Sequence, residues 1–302
     1  MSETCHIPVM EKEVLEYLRA DKGGTFLDCT VGGGGHALAV LAANSENSLV
    51  GIDRDERAVA RSTARLEHFG PRAEITQAPF ASAAWRFAGR KFDGVLADLG
   101  LSSDQLREGR GFSFSDTGEL DMRMDQGATL TAGQIVNGFS ESDLFRVLKQ
   151  GGVGKEARIA ARAIVAARPV NSSRELADLL SSALARYTLK KKVHPATVVF
   201  QAIRMAVNDE ISQLQSFLQD VPSLMGPGGR LVVISFHSLE DKLVARTMRD
   251  WSCGEFSALW PGSTRRSSIG ELLTRKAVTP GADEIDRNPA SRSARLRAFA
   301  FG

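Results

Sequence analysis

Four consecutive glycines, Gly32 to Gly35, separate the apolar run Thr25-Phe-Leu-Asp-Cys-Thr-Val31 from the apolar stretch His36-Ala-Leu-Ala-Val-Leu-Ala-Ala43. Glycine takes the chain through tight and left-handed turns without a steric penalty and lets the backbone approach a ligand closely. The run before the glycines reads as a strand and the stretch after them as a helix. The glycines are therefore the turn of a strand–turn–helix unit, whose helix N-terminus offers unpaired N–H groups. A second predicted strand, Leu49-Val-Gly-Ile-Asp53, ends on an acid roughly 20 residues further on, where a carboxylate can take both hydroxyls of a ribose.

The alternation continues. Residues 55–69 read as a helix that Asp55 can cap and Gly70-Pro71 ends. Ala73 to Gln77 and Phe92 to Asp98 read as a third and a fourth strand. Strands alternating with helices predict βαβ units and a parallel sheet. After Leu99-Gly100 the pattern changes. Residues 101–127, rich in Gly, Ser and Asp, predict a long ordered loop. Helices are expected over 140–150, 155–167 and 173–187, the last behind the capping-box-like Asn171-Ser-Ser-Arg-Glu175, and one long helix over 195–219. The alternation resumes with a strand over 229–236 and a helix over 239–250. Two strand-like runs, 271–278 and 294–300, close the chain. The expected organisation is an α/β domain of residues 1–104 and 211–302, interrupted by a mostly helical domain of residues 105–210.

Composition excludes some classes. With 43% hydrophobic and 25% charged residues over 302, the chain is neither disordered nor collagen-like. Three widely spaced cysteines, Cys5, Cys29 and Cys253, make no C-x-x-C pair, which points to a reducing compartment and away from a zinc site. The polar start Met1 to His6 is no signal peptide, and no run of about 18 apolar residues predicts a membrane span. A cytoplasmic protein needing no metal is expected.

The net charge of +2 by itself argues against nucleic acid. Its distribution argues otherwise. From Arg146 to Arg204 there are twelve Lys/Arg against Glu156, Glu175 and Asp178, a surplus of nine. Residues 105–145 carry seven acids and three arginines, and the C-terminal strip has Arg287, Arg292, Arg295 and Arg297 with no acid after Asp286. A phosphate backbone needs such clustering, and distant acids are screened beyond a Debye length of about 8 Å. A solvated helical face is the plainer reading of the same charges.

Two nucleoside cofactors fit the glycine loop. Gly32-x-Gly34-x-x-Ala37 satisfies the dinucleotide pattern, while Asp28-x-Thr30-x-Gly32-x-Gly34 matches the first motif of Rossmann-like S-adenosylmethionine methyltransferases. The loop does not decide between an NAD-dependent oxidoreductase and a methyltransferase. Asp98 ends the fourth strand beside the expected cofactor cleft, where methyltransferases commonly place their chemistry, and no hydride-relay pair stands out.

Several longer blocks carry a family resemblance: His6-Ile-Pro-Val-Met10, Gly34-Gly-His36, Gly51-Ile-Asp-Arg-Asp55, Asp98-Leu-Gly-Leu-Ser-Ser103, Arg110-Gly-Phe-Ser-Phe114, Leu120-Asp-Met-Arg-Met-Asp125, His194-Pro-Ala-Thr197, Phe200-Gln-Ala-Ile-Arg204, Asn208-Asp-Glu210, Ser235-Phe-His-Ser-Leu-Glu-Asp241 and Asn288-Pro-Ala-Ser-Arg-Ser293. Along almost its whole length the chain resembles the RsmH (MraW) family, bacterial methyltransferases that modify the N4 amino group of a cytidine in 16S ribosomal RNA of the small ribosomal subunit. The resemblance implies a Rossmann-like class I methyltransferase domain, S-adenosylmethionine as donor and a decoding-centre cytidine as acceptor. It implies cofactor contacts from Gly34, Gly35, His36, Asp53, Phe80, Asp98 and Gln105. Departures from the family pattern are Leu101 for Val, Asp104 and Glu119 for Pro, and a shortened segment after Asp250. A non-catalytic RNA-binding ribosome-assembly factor keeping the cofactor fold is a further alternative.

A cytosine amine is a poor nucleophile, so an enzyme must align it and accept its proton. Asp98 is the candidate acceptor. His237, after the fifth strand, is a second catalytic candidate, and its plainer reading is a helix cap. Phe112 and Phe114 are candidates for stacking on a flipped base, against the reading that both are local core. Arg158 and Arg162, four apart on one helical face, and Lys190, Lys191 and Lys192 are the candidate phosphate contacts. Arg123 reads as an ion-paired loop anchor, His194 as a residue of a helix start, and Ser102 and Ser103 lack the partners of a hydrolase.

Overall fold

The computed structural model describes residues 8–102, 105–106, 108–188, 195–253 and 267–302. Cys5, His6, Ser103, Asp104, Lys190, Lys191, Lys192 and His194 lie outside the described residues. The chain divides into two compact units, Met1–Gly100 with Ser212–Gly302, and Leu101–Ile211.

The first part of the α/β unit runs α1 (Glu11–Leu18), β1 (Thr25–Asp28), α2 (Gly35–Ala43), β2 (Ser48–Asp53), α3 (Glu56–Leu66), β3 (Ala73–Gln77), α4 (Ala83–Arg86) and β4 (Phe92–Asp98). The helical unit holds α5 (Ala132–Gly138), α6 (Glu141–Gln150), α7 (Ala157–Ala166), α8 (Ser173–Ala183), α9 (Ala185–Thr188) and α10 (Pro195–Asn208). Helix α11 (Glu210–Asp220) leads back to β5 (Met225–Ser235), α12 (Ser238–Cys253), β6 (Gly270–Leu272), α13 (Ala282–Arg287) and β7 (Arg295–Phe301).

The sheet order is β3-β2-β1-β4-β5-β7-β6. Strands β1 to β5 pair in parallel. The sheet is not wholly parallel, because β7 runs antiparallel to both β5 and β6. Apolar alternation marks a strand but not its direction, so this correction came only with the register, for example Val232 beside Ala298. Alternate strand residues fill opposite faces. Phe26, Leu49, Leu96 and Val232 enter one core, and Leu27, Val50, Val95 and Val233 the other. Covering on both faces explains why these strands read as continuous apolar runs. The chain leaves β1 towards β2 and β3, then returns to place β4 on β1's other side. At such a reversal the strand carboxyl ends open a crevice between diverging connections.

In the helical unit, Leu144 and Leu148 of α6, Ile164 of α7, Leu176 and Leu180 of α8, and Val199 and Ile203 of α10 form one core with Leu120, Met122 and Met124 of the long loop. That loop is ordered by polar bonds. Asn208 accepts the Met124 N–H at 2.8 Å and donates to the Met122 carbonyl at 2.8 Å. Asp116 accepts the N–H groups of Gly111 and Ser113. Arg123 holds Asp121 through two nitrogens, at 2.6 and 2.9 Å, and donates to the carbonyls of Gln126 and Ala128, so it is a loop anchor.

The expected single helix over 195–219 is two helices, broken at Asp209, whose φ of 49° is left-handed. Asp is among the few non-glycine residues that tolerate that region, and nothing else in the local sequence signals a stop. Helix α5 was not expected, although Thr131 and Gln134 form a complete capping box. The run expected as a strand over 271–278 contributes only Gly270–Leu272 to the sheet, with Val278 making an isolated bridge to Leu296.

Candidate active site

The site lies in the α/β unit, at the carboxyl ends of β1, β2 and β4. Gly32 and Gly34 take left-handed φ values of 51° and 76°. This turns the chain out of β1 and starts α2 with Gly34 as its N-cap. A Cβ on Gly32 would project into open space, with no atom nearer than the Thr30 carbonyl oxygen at 3.8 Å, so the turn faces room for a ligand. Its carbonyl side is braced, since Arg65 donates to the Gly33 oxygen at 3.0 Å.

Asp53, half-buried at the end of β2, ties the turn to the sheet. Its Oδ2 accepts the Gly32 N–H at 2.9 Å and its Oδ1 the Asp55 N–H at 2.9 Å. Asp55 in turn caps α3 by accepting the Arg57 N–H. Each Asp53 oxygen keeps a second lone pair, so the carboxylate can still accept two hydroxyls. Burial pushes its pKa up against those two bonds.

Asp28 and Asp98 sit on adjacent strands, with Asp28 in register with Leu96. Thr30 links them, its N–H donating to Asp28 at 3.0 Å and its hydroxyl accepting the Asp98 N–H at 2.7 Å. Asp28 is buried, which pushes its carboxyl up to about 7. Burial, then the nearby carboxyls of Asp28 and Glu240, hold Asp98 well above the usual carboxylate range. Its Oδ1 is inaccessible and has no hydrogen-bond partner. Its Oδ2 lies 3.6 Å from Nδ1 of the buried His36. The His36 Nε2–H donates to the Val9 carbonyl at 2.9 Å, which fixes the ring and turns Nδ1 towards Asp98. A buried carboxyl oxygen without a donor favours the neutral acid. Asp28 and Thr30 were visible in the sequence only as motif letters; their contacts make them part of this cluster.

Phe80 opens the turn after β3, half-buried and edge-on to Phe217 at 5.5 Å between centroids. The structure thus gathers Gly34, Gly35, His36, Asp53 and Asp98 around the ends of three neighbouring strands and puts Phe80 just beyond the third. Gln105 belongs to the helical unit, where its side chain accepts the Ser102 N–H at 3.1 Å.

Two further candidates have structural contacts of their own. His237 is occupied at the start of α12. Its Nδ1 accepts the Glu240 N–H at 3.3 Å, its Nε2 is 3.1 Å from Glu240 Oε1, and Glu240 Oε2 accepts the N–H groups of Phe236 and His237. This is a helix cap closed in both directions, although the buried Nε2 makes no hydrogen bond among the described residues. Phe112 is buried in the helical core, leaving no open ring face to stack on a base. Phe114 is 39% exposed and packs edge-on against Phe200 at 4.5 Å. Arg158 and Arg162 are both exposed on α7. The Arg158 guanidinium lies 4.9 Å over the Phe145 ring, and Arg162 is 3.8 Å from Glu141.

Residues 3–301 match the model of the MraW methylase family. The chain belongs to that family. It is 42% identical over 293 residues to the ribosomal RNA small subunit methyltransferase H of Synechococcus elongatus, covering 97% of this chain and 93% of that one. It is also 42% identical over 306 residues to the protein of the same name from Koribacter versatilis, covering 98% and 93%. As in other methylases of this fold, S-adenosylmethionine is the cofactor, and the crevice suits it. The glycine turn leaves open space, Asp53 has lone pairs to spare, and Asp98 has an unpartnered buried oxygen at the end of the adjacent strand. Family membership settles the choice that the glycine loop left open, against NAD.

Proposed function

We propose that this chain methylates the N4 amino group of a cytidine in the decoding centre of 16S ribosomal RNA, in the small ribosomal subunit. Methylation of small-subunit ribosomal RNA is the activity named for its relatives. The observation that carries the finer reading is Asp98, a partly buried carboxyl with one inaccessible, unpartnered oxygen at the cleft end of β4. N-methylation releases a proton, and a proton acceptor is needed beside the amine.

In this reading Asp53 holds the ribose, Phe80 lies against the adenine, and Gly34, Gly35 and His36 line the methionine end of the cofactor. The cofactor supplies an electrophilic methyl group. The Asp98 carboxyl is held above the usual carboxylate range, and a positive charge held against it favours the carboxylate, its proton passing to solvent. The carboxylate then accepts a proton from the cytosine amine as the nitrogen loses its conjugation. Alignment of the amine contributes roughly 7–11 kcal/mol when the geometry is good. Phe114 stacks on the target base. The helical unit, with Arg158 and Arg162 exposed and Lys190, Lys191 and Lys192 in the same charge run, recognises the RNA backbone.

The test is methyl transfer to purified small subunits and to free ribosomal RNA, followed by digestion and mass analysis of the nucleosides. The reading expects N4-methylcytidine. Methyl label on another base or another atom overturns it, and no label on either substrate favours the non-catalytic assembly factor.

A further inference from the structure

Trp85 is the most exposed large hydrophobic residue among those described, with 82% of its surface open to solvent. By contrast, Trp251 is buried against Phe299 at 5.3 Å. Trp85 stands on α4, five residues after Phe80, and nothing in the proposed reaction uses it.

Its surroundings are basic and pinned. On the edge strand β3, Glu74 and Thr76 point to the same side, and each holds one arginine. Arg86 donates to the Thr76 hydroxyl at 2.7 Å, and Arg90 to the Glu74 carboxylate at 2.9 Å. The Arg90 guanidinium also lies 5.6 Å from the ring centroids of both Phe87 and Phe92. Lys91 donates to the Ser223 carbonyl at 2.8 Å. Arg86, Arg90 and Lys91 are exposed, and Glu74 is the one acid among residues 72–91. Each cation spends a donor on its anchor and keeps others for a ligand.

A lipid surface takes a wide apolar face, and a protein interface buries a cluster around its aromatic anchor. Among the described residues of the α/β unit, no other large apolar side chain is exposed. An exposed ring on the same short segment as immobilised cations matches single-stranded RNA, with the ring taking a base and the cations its phosphates. Immobilisation before binding lowers the entropy lost on binding.

We propose that Trp85, Arg86, Arg90 and Lys91 form a second RNA-contact surface, on the α/β unit and separate from the basic helical segment, which stacks one unpaired base and neutralises the phosphates beside it. The inference rests on the proposed ribosomal RNA substrate but concerns binding rather than methyl transfer.

The test titrates a fluorescein-labelled 20-nucleotide single-stranded RNA and purified small subunits with wild type, Trp85→Ala, Trp85→Phe and the double variant Arg86→Gln/Lys91→Gln. One lost base stack corresponds to roughly five- to hundredfold in affinity. Trp85→Ala is expected to bind RNA about tenfold more weakly, with S-adenosylmethionine binding and thermal unfolding unchanged. Trp85→Phe keeps a ring and is expected to stay within about threefold of wild type. The double variant is expected to flatten the salt dependence, by about 0.7 per lost phosphate contact on a single strand. Trp85→Ala binding both probes as wild type does, or wild type preferring anionic phospholipid vesicles to RNA, overturns the proposal. A wild type that binds neither probe overturns it too, and the methyl-transfer assay then tells whether the substrate reading falls with it.

Discussion

In the helical unit Glu210 is matched by Arg204 through two 2.8 Å bonds, and Asp121 by Arg123. In the α/β unit Asp28, Asp53 and Asp98 have backbone, hydroxyl or histidine neighbours but no lysine or arginine partner among the described residues. The electrostatic outcomes diverge. Against the cost of its partial burial, the Arg123 bonds hold the Asp121 carboxyl below its ordinary range. Burial drives Asp28, Asp53 and Asp98 upward. Glu210 and Asp121 are spent on arginines, as is Asp241 of the α/β unit on Arg295 and Arg297. The three strand-end acids are instead kept in store, at a cost in stability that a bound ligand can offset, and such perturbed groups in a cleft mark functional sites.

Four experiments can break that comparison. Asp53→Ala removes the acceptor for the Gly32 and Asp55 N–H groups and for the ribose. Calorimetry should show S-adenosylmethionine affinity reduced roughly a hundredfold or more, and unchanged affinity would end the assignment. Arg204→Ala leaves Glu210 buried without its partner. Urea unfolding should show a loss of about 3 kcal/mol, with cofactor affinity retained, and a loss under about 1 kcal/mol would mean the pair is not the anchor described.

Asp28 provides the pH test. Its folded-state carboxyl titrates at about 7, whereas in the unfolded chain it titrates near the ordinary value of about 3.9. Between those values the folded state binds the extra proton, so the ligand-free protein loses stability as pH rises from about 4 to about 7. Urea midpoints measured across that window should fall with pH for wild type and fall less for Asp28→Asn. Equal slopes would contradict the stored-acid account. The smallest effect is expected from the exposed pair. Arg158→Glu with Arg162→Glu should weaken RNA binding about tenfold and flatten its salt dependence, and an unaltered salt slope would remove both from the phosphate contacts.

The strand-end crevice and the alternating α/β pattern were both legible in the sequence. Glycines before a helix and an acid after the next strand have strong local signatures, and the crevice is built from them. The helix break at Asp209 was invisible, because one left-handed residue leaves no break in the apolar pattern around it. The roles of His237 and Phe112 were ambiguous for a different reason. A histidine after a strand and an aromatic in a glycine-rich loop suit a site or a core equally well, and only packing partners decide between them. Helix α1 was not expected, although acids stand in its first turn and the buried Val14 and Leu18 are four apart.

The amino-acid sequence by itself determined the alternating α/β pattern, the turn at Gly32 to Gly35, the acids at the strand ends and the basic segment, because each depends on residues close together in the chain. Only the tertiary structure decided that β7 runs antiparallel, that Asp98 faces His36 with an oxygen unpartnered, that His237 caps a helix and that Trp85 stands open among pinned arginines. Those outcomes depend on which distant groups become neighbours and how much water they lose, and no local pattern encodes either.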